Sequence, residues 1–231
     1  MSEHVELDFS TVMFSTIHDV KNSLVVAQGS LAELADEFSE NENAHKSLAL
    51  LQYEIERTNH SLVRMLMLYK LNQKFFSPHM DEYEIDDFVD ELIIHNMPYS
   101  EAKQVTLRKQ CDLNPDETWY FDRDLLSSMV NSVINNALRY AKSTIVISAK
   151  LGDGRLVIDV EDDGEGYSDS FVNGWKDRDS SGFDYESQST GLGLYFAEKV
   201  AQAHVRDDLQ GDVLLGQSEL LNGAKFSLVL P

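Results

Sequence analysis

Apolar or small residues recur at Met13, Ile17, Val20, Leu24, Ala27, Leu31, Leu34 and Phe38, in steps that alternate between four and three. That spacing draws a heptad seam along one side of a helix. Residues 10–39 hold no proline and a single glycine, Gly29, so nothing interrupts the seam. The polar stretch SENENAH follows, and a second run places Leu48, Leu51, Ile55, Thr58, Leu62, Met65 and Tyr69 at the same spacing. The pattern predicts two helices of about thirty residues, each about 45 Å long, joined by a short turn. Such an antiparallel hairpin leaves much of each stripe wet. Doubling into a four-helix bundle as a homodimer covers the stripe; packing against the rest of the chain is the alternative.

The periodicity stops in FFSPHMD, where Pro78 marks a boundary between residues 1–76 and residues 77–231. Beyond it the pattern alternates. Residues 84–98 and 122–141 read as helices, the second opened by Asp122 or Asp124. Residues 105–108 and 119–121 read as strands, and 144–150 with 155–160 as a β-hairpin around Gly152-Asp153-Gly154. A loop rich in Gly, Ser and Asp fills 163–189, a helix starts near Gly191, and strands at 213–215 and 225–230 close the chain. The expected class is α+β: a helical hairpin followed by an α/β two-layer sandwich, with helices on one face of a sheet.

Composition narrows the chemistry. The 231 residues carry 40 acidic and 19 basic side chains, a formal net charge of -21. So acidic a surface repels a phosphate backbone, which argues against nucleic acid and anionic membranes as partners. The single cysteine, Cys111, rules out an intrachain disulfide and fits a reducing compartment. No apolar run approaches the roughly 20 residues that span a bilayer, and the acidic N-terminus has no signal-peptide core. A cytoplasmic chain without membrane insertion is expected.

Three clusters carry candidate chemistry. The first is Asn131-Ser-Val-Ile-Asn-Asn136-Ala-Leu-Arg139-Tyr140-Ala, on a helix. A carboxamide oxygen suits Mg²⁺, and Arg139 and Lys142 sit where basic groups meet phosphate. The second is Val160-Glu-Asp162-Asp-Gly164-Glu-Gly166, at the end of a strand. Two spaced glycines allow close backbone approach to a ligand, while a carboxylate accepts from an amino group. The third is Ser189-Thr190-Gly191-Leu192-Gly193-Leu194-Tyr-Phe, a glycine-rich turn opening into a helix. Such a turn offers backbone N–H groups and a positive dipole end to phosphate.

In order and spacing these clusters resemble the N, G1 and G2 boxes of the ATPase fold shared by sensor histidine kinases, DNA gyrase and mismatch-repair ATPases. The closing GAKFSLVLP is similar to the end of the histidine-kinase version. The resemblance implies ATP and Mg²⁺ as cofactors, with Asn136 ligating the metal and Asp162 reading the adenine amino group. It implies that Gly164 and Gly166 shape the base pocket. Gly191 and Gly193 would contact phosphates, assisted by Arg139 and Lys142, with Tyr140, Thr190, Leu192 and Leu194 completing the cofactor-binding set. Residues 168–189, including Phe171, would form a lid over ATP.

Three positions depart from the family pattern. Ser132 stands where an Asn is usual, four residues before Asn136, and Asn131 and Asn135 each lie about 100° away around the helix. Ser189 replaces the first G2 glycine, and Ala224 replaces a threonine. These departures leave open an alternative, a phosphotransfer or scaffold protein with weak or no ATP binding.

His18 lies in Ile17-His18-Asp19-Val20-Lys21-Asn22, flanking the seam. This resembles the H-box of histidine kinases in its His-Asp-x-x-Asn form. The resemblance implies that His18 accepts the γ-phosphoryl group and that Asp19 holds the imidazole proton. The phosphoryl group would then pass to an Asp on a response regulator receiver domain, and Asn22 would position water to dephosphorylate that partner. The other histidines, His4, His45, His60, His79, His95 and His204, read as ordinary exposed residues. No sensor segment is visible, so input is expected through a separate protein or through residues 1–9 and the bundle.

Overall fold

The structure, a computed structural model, describes residues 9–38, 42–71, 77–114, 116–175 and 192–231. The chain divides into two compact units, Met1–Lys70 and Leu71–Pro231. The first holds helices α1 (Phe9–Glu37) and α2 (Glu42–Leu71). Along the predicted seam Ile17 and Leu48 are buried, while Val20, Leu34, Leu51 and Met65 stay exposed. No described helix is long and apolar enough to cross a membrane.

The second unit runs β1 (Asp81–Glu84), α3 (Ile85–Lys103), β2 (Thr106–Cys111), β3 (Thr118–Phe121), α4 (Arg123–Tyr140), β4 (Thr144–Gly152), β5 (Arg155–Asp162), α5 (Asp169–Gly174), α6 (Leu192–Ala203), β6 (Val205–Arg206), β7 (Leu209–Gln210), β8 (Asp212–Gln217) and β9 (Ala224–Leu230). Its main sheet has the order β2-β4-β5-β9-β8, with β2 parallel to β4 and every other pair antiparallel. Helices α3, α4 and α6 pack on one face. Ile145, Ile147, Ile158, Phe226 and Leu228 from the sheet meet Leu126, Met129, Ile134 and Phe196 there, all at most 1% exposed. The mixed α+β class is as the pattern predicts.

Local chemistry explains several element ends. Asp122 caps α4, its Oδ1 accepting from Leu125 N at 3.0 Å, while Asp124 falls in the first turn; such a cap contributes about 1 kcal/mol. Asp153 and Gly154 both have positive φ, 52° and 70°, which suits the two-residue turn joining β4 to β5. Other ends differ from the pattern. Helix α3 continues through Pro98 to Lys103. Pro98 lies on the exposed side, and the carbonyl it leaves unbonded belongs to Ile94, 65% exposed, where water replaces the missing donor. Within the stretch read as loop, Ser168 caps the short α5 by accepting from Phe171 N at 3.3 Å.

His204 overturns the expectation of an ordinary exposed histidine, because it is 1% exposed. Its Nε2 accepts from the Asp122 backbone N–H at 3.0 Å, and its Nδ1 donates to the Val200 carbonyl at 2.7 Å. A backbone N–H can only donate, so the ring is neutral with its proton on Nδ1. Burial holds its pKa below the usual histidine range, against the opposing pull of the Val200 carbonyl and Asp122. A depressed folded pKa means that the stabilising contribution is complete above about 6.5 and is lost as pH falls below it. Thermal melts from pH 8 to pH 5 should show the midpoint falling on the acid side, with a flatter dependence in His204→Gln.

Candidate functional site

Strand β5 ends in two carboxylates with separate tasks. Asp162, 5% exposed, bends back so that Oδ1 accepts from Gly164 N at 2.8 Å and from Ala224 N at 3.2 Å. This leaves Oδ2 without a bond from any described residue. Burial raises the Asp162 pKa above the ordinary carboxylate range, and the two backbone donors oppose the rise. Asp163 ties down the neighbouring loop: it accepts from Lys142 N at 2.7 Å, Ser143 N at 3.0 Å and the Ser143 hydroxyl at 2.6 Å. Partial burial pushes its pKa up, but these donors outweigh it and lower the value to about 2.

Three glycines leave room around Asp162. A Cβ on Gly164 would come within 2.7 Å of the Tyr140 carbonyl oxygen, and Gly166 has φ +80°. A Cβ on Gly223 would lie 2.2 Å from the Asp162 carbonyl oxygen and 2.6 Å from Gly164 N. Those are backbone atoms that cannot step aside. Gly223→Ala is therefore expected to cost about 2 kcal/mol, or about 6 °C of melting temperature. A melt of the variant that matches the parent would refute this packing.

Beyond this turn, Tyr167 stacks on Phe171 with centroids 5.7 Å apart and planes at 19°. Burial, then the nearby Asp162 charge, raises the Tyr167 pKa, so its phenol stays protonated. On α4, Ser132, Asn136 and Tyr140 follow at intervals of four and share one side of the helix. Ser132 faces the first turn of α6: a Cβ on Gly193 would sit 3.6 Å from its Oγ. Asn136 is exposed one turn further on, and the Tyr140 carbonyl reaches Gly164. The stripe thus runs about 12 Å from the α6 N-terminus to the Asp162 turn. Asn131 is committed elsewhere, its Oδ1 accepting from the buried Asn96 at 2.6 Å.

A carboxylate with one open oxygen, a cradle of glycines and a helix N-terminus line one edge of a mixed sheet. Residues 121–231 match the model of the histidine kinase-, DNA gyrase B- and HSP90-like ATPases. That segment of the second unit carries an ATPase domain of this type. The fold is that of solved histidine kinases. The catalytic domain of ThkA superposes with a TM-score of 0.56 at 18% identity, over 66% of this chain and 95% of that one. Full-length ShkA, in complex with AMPPNP, gives 0.64 at 16% identity over 96% of this chain and 45% of its own. Histidine kinase AdeS of Acinetobacter baumannii gives 0.56 at 18% identity, over 90% and 95%. Sensor protein SrrB of Staphylococcus aureus is 22% identical over 220 residues, 93% of this chain but 36% of SrrB, so the chain spans about a third of that relative.

Within the ATPase domain the structure brings Tyr140, Asp162, Gly164 and Gly166 together, with Phe171 beside Tyr167, and places Ser132 against Gly193. Leu194 sits half-buried in the first turn of α6. Arg139 is exposed, its guanidinium 5.5 Å from the Tyr140 ring. Lys142 contributes its backbone N–H to Asp163 and keeps its side chain exposed. Thr190, Gly191, the Leu192 side chain and lid residues 176–189 lie outside the described residues. Sequence reading missed Gly223, Tyr167 and Ser143 as parts of this site. Asn222-Gly223 is a turn dipeptide, and Asn222 does adopt φ 62°; nothing local to it names Asp162 as its neighbour.

On α1, His18 is exposed, with a side-chain accessibility of 72%. Its Nδ1 lies 3.2 Å from Asn22 Nδ2 and 3.8 Å from Asp19 Oδ1. Both neighbours address the same ring nitrogen, so Nε2 faces solvent. A nucleophilic Nε2 needs its lone pair, and hence a proton on Nδ1, which Asp19 can hold. When the Asn22 carboxamide donates to Nδ1 instead, the proton moves to Nε2 and the ring is no nucleophile.

Proposed function

We propose that the chain is an ATP-dependent histidine kinase, which phosphorylates His18 and passes the phosphoryl group to an Asp of a response regulator receiver domain. The observation that carries this reading is Asp162: buried, fixed through Oδ1 by two backbone donors, and open at Oδ2. That oxygen would accept from the adenine amino group, with Gly164, Gly166 and Gly223 leaving space for the base. Gly193 and the α6 N-terminus would meet the phosphates, assisted by Arg139 and Lys142. Asn136 offers an exposed carboxamide oxygen to Mg²⁺, which would neutralise charge on the phosphate oxygens.

The His18 Nε2 lone pair attacks the γ-phosphorus, and a nitrogen–phosphorus bond forms as the bond to the ADP oxygen breaks. The Nδ1 proton goes to Asp19. Two chains would pair through the exposed seam of α1 and α2, where Val20, Leu34, Leu51 and Met65 need a cover. Asn22, one turn from His18, would position water when the same surface dephosphorylates the regulator. The single free thiol of Cys111 supports a cytoplasmic setting.

The test is incubation with γ-labelled ATP and Mg²⁺. The expected product is one acid-labile, base-stable phosphoramidate on the chain; nucleotide binding without any label would overturn the kinase reading. Ser132 beside Gly193 favours a second reading, a phosphotransfer scaffold that binds nucleotide weakly. An ADP titration that shows no binding at millimolar ligand would select it.

A further inference from the structure

Behind Asp162, on the opposite face of the sheet, lies a charged cluster that nucleotide binding does not touch. Successive residues of a strand face opposite ways, so Asp159 and Glu161 point away from Asp162 and the helices. Both are buried, at 2% and 7% exposure. Lys225 stands between them, its Nζ 2.8 Å from Asp159 Oδ2 and 3.2 Å from Glu161 Oε1, with Lys150 3.6 Å from Asp159. Desolvation lowers the Lys225 pKa, but the two carboxylates prevail and raise it. Asp159 Oδ1 is buried without a hydrogen bond among the described residues. Two buried carboxylates, bridged by Lys225 and with Lys150 only at the edge, leave one oxygen orphaned, which is an expensive arrangement.

The cluster grips the turn that completes the base pocket. Glu161 Oε2 accepts from the Ser218 hydroxyl at 2.6 Å, and Ser218 Oγ in turn accepts from Leu221 N at 2.8 Å. Ser218 N donates to the Gly223 carbonyl at 2.8 Å, and Asn222 N donates to the Ser218 carbonyl at 2.9 Å. Lys225, paired in register with Glu161, takes hold of the other end of the turn. One carboxylate thus holds both ends of residues 218–225. Between those ends sit Gly223, pressed on the Asp162 backbone, and Ala224, whose N–H reaches Asp162 Oδ1.

We propose that Glu161 is a positioning residue of the nucleotide site: through Ser218 and Lys225 it holds the β8–β9 turn so that Ala224 N–H donates to Asp162 and leaves Oδ2 aimed at the base. This rests on the adenine-nucleotide reading of Asp162. The residue acts across the sheet and touches no ligand. Losing the Ala224 donor removes one of two bonds to the carboxylate, which amounts to about tenfold in ADP affinity. It also destabilises the ionised form of Asp162. The other titratable groups facing Asp162 are Asp163 at its own strand end and the neutral Tyr167 phenol beyond the turn. Neither contacts Glu161, so the effect is read through Asp162.

The experiment measures ADP affinity by calorimetry from pH 5 to pH 8 for the full chain, Glu161→Ala, Ser218→Ala and Glu161→Gln. Glu161→Ala should weaken ADP about tenfold at neutral pH and move the acid limb of binding to higher pH. Ser218→Ala, which removes the bond to Glu161 together with the one from Leu221 N and leaves the Lys225 contact in place, should move that limb the same way and keeps the test open if Glu161→Ala does not fold. Glu161→Gln still accepts from Ser218 but sets its NH₂ donor against Lys225 Nζ, so it should recover only part of the affinity. A cluster that merely stabilises the sheet would lower the melting temperature and leave the acid limb where the parent has it, and that result overturns the proposal. A parent chain that binds no ADP overturns the nucleotide reading along with it; ADP binding by the parent with unshifted variants overturns this inference alone.

Discussion

Replacing His18 by glutamine is expected to remove all phosphoryl label from the chain while leaving ADP affinity within about twofold of the parent. The loss is total because a carboxamide has no lone pair to match that of imidazole, and removal of a nucleophile costs on the order of 10⁶ in rate. ADP affinity is spared because the proposed nucleotide contacts all lie in the second unit, more than a hundred residues away in sequence. Glutamine is also at least as good a helix former as histidine, so α1 persists. The exposed side chain of His18 leaves no cavity when replaced. Full labelling of His18→Gln would show that another residue accepts the phosphoryl group. Loss of ADP binding together with label would show that the substitution damaged more than the acceptor.

Asp162→Asn is the second large effect, and it separates binding from stability. Asparagine can still accept from Gly164 N and Ala224 N through its oxygen, so the turn is kept. What changes is the other end of the side chain, where an acceptor becomes an NH₂ donor facing the donor amino group of the base. Losing a charge-assisted bond and setting donor against donor is expected to weaken ADP about 100-fold. Stability moves the other way. Burial raises the Asp162 pKa, so the ionised form is penalised in the folded state. For a raised carboxyl pKa the penalty is complete above the folded value and is relieved as pH falls toward the ordinary value near 3.9. The neutral asparagine carries no such penalty at any pH. The variant should melt at or above the parent temperature at pH 7, with the difference vanishing in acid. An ADP affinity within about threefold of the parent would remove Asp162 from the base site.

Much of this was legible along the chain because it is short-range. The seam spacing of α1 and α2, the Asp122 cap, and the positive-φ turn at Asp153-Gly154 each depend on residues within a few positions. So does the bend of Asp162 onto Gly164 N, a side chain bonding its own backbone two residues on. The order of the three boxes added the family. Local rules fall short at Pro98: proline ends helices on average, but α3 runs through it and the orphaned carbonyl faces water.

What only the tertiary structure decided are the partners that the sheet order brings together. Strand β9 pairs with β5 across 64 to 74 residues, and that single pairing delivers Ala224 N–H and Gly223 to Asp162 on one face and Lys225 to Glu161 on the other. The register of strands forces neighbours on both faces at once, which no local spacing records. Helical spacing already turned Asn131 about 100° away from the Asn136 face, and its pairing with Asn96 shows where that carboxamide is used instead. His204 looked like any surface histidine until the N-terminus of α4 supplied a buried donor for its ring. Hydrophobic period and capping are properties of a segment, and the sequence by itself determined those. Burial and long-range hydrogen bonds are properties of which segments meet, and they decide whether an Asn, a His or a Glu belongs to the nucleotide site or to its support.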